Sequence, residues 1–141
     1  MVQNTVLNRE AGGKKLWTLK AGEVAQVDDN LVTAKNLDGV VYLRDGDEMY
    51  VRAEAGQVWT KSNRFELSGD VTARLKNGGF LRAKKVEWDQ NKDILIATGA
   101  VKVVKDDMLA QAEKAVTSSK LKHFKLNEKA HVERGGHYEE K

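Results

Sequence analysis

A Gly-x-Val motif inside alternating apolar and polar residues recurs about every thirty residues in this chain, and that recurrence constrains the fold more than any other feature. Leu37-Asp-Gly39-Val-Val41-Tyr-Leu43 matches Leu67-Ser-Gly69-Asp-Val71-Thr-Ala73, and both match Ala97-Thr-Gly99-Ala-Val101-Lys-Val103. Gly39, Gly69 and Gly99 lie 30 residues apart, and a weaker copy follows at Glu128-Lys-Ala130-His-Val132. A second series interleaves with the first: Ala21-Gly-Glu-Val24, Ala55-Gly-Gln-Val58, Ala83-Lys-Lys-Val86 and Ala112-Glu-Lys-Ala115. Both series describe about four units of about thirty residues.

Turn residues divide each unit again. They stand at Asp28-Asp-Asn30, Asp45-Gly46, Lys61-Ser-Asn63, Asn77-Gly78, Asp89 to Asp93, Asp106-Asp107, Ser118-Ser119 and Gly135-Gly136. Asp-Gly and Asn-Gly between alternating segments are strong hairpin signals. Between the turns the period is two. Val41 and Leu43 oppose Tyr42; Met49, Val51 and Ala53 oppose Tyr50 and Arg52; Phe65 and Leu67 oppose Glu66; Val71, Ala73 and Leu75 oppose Thr72 and Arg74. Leu81 and Ala83 oppose Arg82, and Val101 and Val103 oppose Lys102. That pattern is antiparallel sheet with one apolar face. Met108, Ala112, Ala115 and Val116 would share a helical face, but the repeat register predicts a strand there.

An all-β fold follows. Segments of about a dozen residues are long for single strands, so each is expected to break into two shorter strands around a corner. Gly39, Gly69 and Gly99 are the expected corners. Stacked bent hairpins make a slightly twisted antiparallel β-jelly roll of about four repeats, open at both ends. Its interior candidates are Val41, Leu43, Met49, Val51, Phe65, Leu67, Val71, Leu75, Leu81, Val101 and Val103. They form either plain core or a wall that an acyl chain touches. The domain is expected over residues 6–134, with residues 1–5 ahead of it and a tail at 135–141.

Several chemistries are disfavoured. Without cysteine there are no disulfides, thiolate zinc sites or cysteine nucleophiles. The net charge of +3 is interspersed rather than clustered, which argues against a nucleic-acid groove. His123, His131 and His137 read as surface residues, Ser118-Ser119-Lys120 as a turn, and Asp28-Asp29 and Asp106-Asp107 as turn chemistry rather than calcium ligands. Neither a P-loop nor a dinucleotide fingerprint is present. No enzyme activity, metal or cofactor is expected. No segment is long and apolar enough for a membrane helix, and the first residues lack the apolar run of a signal peptide.

Trp17-x-Leu19-x-Ala21, the Gly-x-Val strands, Phe80-Leu-Arg-Ala83, Val86-Glu-Trp88-Asp89 and Ile94-Leu-Ile-Ala-Thr-Gly99-x-Val101 together resemble the periplasmic domain of the LptC family of lipopolysaccharide-transport proteins. The wider group includes LptA and the N-terminal part of LptD. The resemblance runs from about Val6 to Arg134. It implies a jelly roll whose apolar interior holds lipopolysaccharide acyl chains, in the periplasm, anchored to the inner membrane by a helix ahead of the domain. It implies partners as well: the transporter's periplasmic domains (LptF/LptG) at the N-terminal edge and an LptA-like protein at the C-terminal edge, with self-association through the same edges open. Lys102, Lys105, Lys120, Lys122 and Lys125 are candidates to meet phosphates outside the slot. An LptA-like bridge protein and a cargo-free β-solenoid scaffold are the alternatives.

Overall fold

The computed structural model describes residues 2–43, 46–118, 125–126 and 131–134. Their strands are β1 (Val2–Ala11), β2 (Lys14–Gln26), β3 (Leu31–Tyr42), β4 (Glu48–Trp59), β5 (Arg64–Leu75), β6 (Phe80–Asp89), β7 (Ile94–Lys105), β8 (Met108–Thr117), β9 (Lys125–Leu126) and β10 (His131–Arg134). All pair antiparallel in one open sheet, in the order β1 to β8 and then β10, with β9 also on β8. The fold is thus the all-β, twisted, jelly-roll type expected. The glycine series falls on β3, β5 and β7 and the alanine series on β2, β4, β6 and β8, so one repeat is one hairpin. The segment from Met108 is a strand, as its register predicts. β1 begins at Val2, so the sheet takes in residues expected ahead of the domain. The tail at 135–141 and most of the fourth glycine-series copy lie outside the described residues.

The long segments do not break in two. Each continues as one strand, and in β5 and β7 the bend is made by a bulge within the ladder. Ser68 faces Lys85 and Val71 faces Ala83, so Gly69 and Asp70 together oppose Lys84 alone. Gly99 and Ala100 oppose Glu113 in the same way. Two residues against one bend a strand and increase its twist. Both residues of each bulge are left-handed, with φ of 79° and 47° at Gly69 and Asp70 and 86° and 48° at Gly99 and Ala100. Glycine adopts that region freely, and aspartate tolerates it better than most.

Gly39 is not a corner. It pairs with Leu19 and Val51 in unbroken register, and the left-handed residue of β3 is Asn36, with φ 55°. Asparagine is the other residue that visits this region at modest cost. Gly39 is needed instead for close approach: a Cβ there would land on Cδ2 of Leu19 and 3.2 Å from the Thr18 carbonyl oxygen.

The bulges fold the sheet onto itself. Trp17 stands level with Leu75 along the pairing Trp17–Val41–Met49–Leu75. From Leu75 to Phe65, β5 would run about 33 Å if straight. Yet the rings of Trp17 and Phe65 meet edge to face with centroids 5.5 Å apart. The strands therefore bend back along their length, at the bulges of β5 and β7 and without a register shift in β3, and the two halves of the sheet face each other across an apolar interior. The turns form two rims that meet along a seam. One rim holds the β2–β3, β4–β5 and β6–β7 turns, and the other holds the β1–β2, β3–β4, β5–β6 and β7–β8 turns.

Candidate functional site

The interior is one apolar cluster running from Trp17 on β2 to Ala115 on β8, walled by alternate residues of every intervening strand. Ten of the eleven interior candidates are buried in it: Val41, Met49, Val51, Phe65, Leu67, Val71, Leu75, Leu81, Val101 and Val103. Leu43 is half-buried and packs against the cluster from the end of β3. Eight of the ten divide by surroundings. Val41, Met49, Val51, Phe65 and Leu67 surround a residual cavity of about 20 Å³, together with Leu19, Leu37, Trp88 and Leu95. That is room for about one water molecule. Val71, Leu81 and Val103 are 0% exposed.

Sequence reasoning did not anticipate the aromatic cluster. Phe65 stacks on Trp88 with centroids 5.4 Å apart while its edge faces Trp17. These three of the nine aromatics converge across the fold, although their positions in the chain look scattered. The signal available was their parity: each occupies an inward position of its own strand. Trp17, Leu19, Leu37, Val58, Val86 and Leu95 extend the same alternation and are buried beside the residues singled out.

The rims are polar. Asp28 Oδ1 accepts the amides of Asn30 and Leu31, each at 2.7 Å, and these bonds hold its carboxyl below its ordinary pKa. Asn30 in turn accepts the amides of Thr60 and Lys61, and the Asn63 carbonyl accepts the amide of Gln90. On the other rim Asp47 Oδ1 accepts the amides of Glu48 and Asn77. Successive hairpins are thus tied turn to turn. Hydrogen bonds between described residues cross the seam: Trp17 Nε1 donates to Asn63 Oδ1 at 3.4 Å, and Gln90 Nε2 donates to the Leu16 carbonyl at 3.3 Å. Asn63 is 92% buried by these contacts, which explains a buried amide at a turn.

The outer faces carry exposed ion pairs, among them Arg82 with Asp70 across the β5 bulge at 2.8 Å and Lys85 between Glu66 and Glu87. The hydrogen bonds of Lys85 to Glu66 and then Glu87 raise its pKa. Of the candidate phosphate lysines, Lys105 is engaged, donating to the Gly78 carbonyl at 2.6 Å. Lys102 lines an outer groove at the β7 bend, and Lys125 is exposed on β9. Lys120, Lys122, His123 and His137 lie outside the described residues, as does the Ser119-Lys120 part of the serine–lysine turn. His131 is exposed on β10. Among the described residues no group of three or more His, Asp or Glu side chains is placed to hold a metal ion. The described arrangement can separate an apolar interior from water along its whole length and present a polar seam at its mouth.

A scan against protein-family models finds no match for this chain, and a search of curated proteins finds none.

Proposed function

We propose that this chain is a non-enzymatic, LptC-like carrier module that holds lipopolysaccharide acyl chains between the two halves of its folded sheet. On this reading it works in the periplasm, anchored to the inner membrane. It receives lipid from the transporter's LptF/LptG domains at the β1 edge and passes it to an LptA-like protein beyond β8. The observation that supports the reading is the interior itself: a continuous apolar cluster from β2 to β8, enclosed by polar rims that meet only along a seam. The edge of β1, which has β2 as its one neighbour among the described residues, suits strand addition by a partner.

Loading exchanges contacts between the two halves of the core for contacts with the acyl chain. The interior has about 20 Å³ free, so an acyl chain enters only when the rims part. Parting them breaks the seam hydrogen bonds at about 1 kcal/mol each and aromatic contacts at about 1 kcal/mol each. Burying a chain of about a dozen carbons returns on the order of 10 kcal/mol, at about 0.8 kcal/mol per methylene. Transfer between two such slots is nearly isoenergetic, so direction comes from an upstream energy source.

Photo-crosslinking residues at Leu67 and Val101, which point inward, are expected to capture lipopolysaccharide in cells, while one at exposed Arg74 is not. Capture at Arg74 alone would sink the proposal. The same edge also supports a second reading, a cargo-free scaffold or an LptA-like bridge protein. Open-ended growth in light scattering with no bound lipid would favour the scaffold.

A further inference from the structure

A cleft of about 700 Å³ opens on the seam, between the β1–β2 turn with the end of β3 on one side and the β6–β7 turn on the other. Its apolar floor is Leu16, Leu43 and Trp88. Trp88 also walls the interior cavity, so one indole ring separates the cleft from the inside of the fold. That ring is held by stacking on Phe65 and by Nε1 donating to Asp93 Oδ1 at 3.3 Å. Lys14 and Lys15 stand exposed at the cleft's edge. Lys35, Arg52, Lys61, Lys76, Arg82 and Lys85 all have carboxylate partners. Lys14 and Lys15 form no ion pair with a described residue, a state they share with Lys20, Lys84, Lys92 and Lys102, but these two alone among them line the cleft. The cleft also contains an unused acceptor: Gln90 bridges the seam through Nε2, while its buried Oε1 has no hydrogen-bond partner.

We propose that this cleft is the portal by which an anionic amphiphile enters the interior, its charged headgroup held by Lys14 and Lys15 and its chain laid over Leu16 and Leu43 against Trp88. The proposal rests on the carrier reading and adds to it a place of loading and the residues that hold the headgroup there. Two unpaired ammonium groups beside an apolar floor match a molecule with a negative head and an alkyl tail. The carboxylate on the lining, Asp93, already accepts a bond from Trp88. The Oε1 of Gln90 takes an O–H or N–H from the headgroup, and displacement of Gln90 from the Leu16 carbonyl frees a bond that closes the seam.

Calorimetric titration with dodecyl phosphate and with dodecyl maltoside, below their micelle concentrations, tests the portal. The double variant Lys14→Glu/Lys15→Glu alters two exposed side chains and should fold normally. It is expected to bind dodecyl phosphate about tenfold more weakly at low salt, with the loss shrinking as salt is added, and to bind the neutral maltoside as wild type does. It should also slow capture of dodecyl phosphate by a photo-crosslinking residue at Leu67. Inorganic phosphate is expected not to compete, and competition would mean the lysines read a free anion and would overturn the proposal. Equal binding and equal capture rates in variant and wild type overturn the portal while leaving the carrier standing. Failure of both amphiphiles to bind wild type overturns both.

Discussion

Replacing Gly69 with alanine tests how the sheet is folded. Gly69 has φ of 79°, and an added Cβ would stand 2.6 Å from Cβ of Glu54. The Glu54 carboxylate can swing aside, but its Cβ moves only with the backbone of β4. Holding an alanine in the left-handed region costs about 1–2 kcal/mol, and the forced backbone shift adds about 1–3 kcal/mol. Reduced unfolded-state entropy offsets about 0.4–1 kcal/mol of this. The net expectation is a loss of about 3 kcal/mol, or roughly 10 °C in thermal midpoint at this chain length. Gly12 is the control: its φ is 57° and nothing lies within 4 Å of its added Cβ, so alanine there should cost only about 1 kcal/mol. Urea denaturation of both variants gives the comparison. A double-mutant cycle with Glu54→Gly, which removes the opposing Cβ, should bring the Gly69→Ala cost down toward that of Gly12→Ala. Equal losses at Gly69 and Gly12, or no coupling with Glu54, would refute the account of the bulge as a crowded corner.

Ala100 holds a left-handed φ of 48° at the equivalent corner of β7, so Ala100→Gly should raise stability by about 0.5–1 kcal/mol in the same denaturation assay. Phe65→Ala removes the ring that joins Trp17 to Trp88 and should cost about 3–5 kcal/mol, accompanied by a change in tryptophan emission. Gly39→Ala should destabilise through contact with Leu19, and Leu19→Ala in the same chain should recover part of that loss. The carboxyl of Asp28 is held below its ordinary value of 3.8, so the stability it supplies is complete above that pH and is lost as pH falls through the lower, folded-state value. Subtracting the urea-derived stability of Asp28→Ala from that of wild type across an acid series should show this decline, and a difference that grows with acid would contradict the capping role.

The alternation of Phe65, Leu67, Val71, Ala73 and Leu75 with polar neighbours determined which side of each strand faces inward, because the side-chain period of a strand is two and needs no tertiary information. The turn residues and the two interleaved series likewise determined the number and order of the hairpins. Parity could not say which inward residues meet, since Trp17 and Phe65 stand at opposite ends of the ladder and touch only because the sheet bends back on itself. Nor did residue type identify the corner of β3, where the repeat points to Gly39 and the backbone turns at Asn36: a glycine serves equally for a bend and for close approach, and only the neighbouring Leu19 decides between them. Whether the interior is a slot or a solid core depends on how side chains of the two halves interdigitate, and packing leaves about 20 Å³ where the alternation alone allows any width. The cleft beside Lys14 and Lys15 exists for the same reason: it joins neighbouring residues of β2 and β3 to residues at the end of β6 that meet them only once the two rims close on the seam.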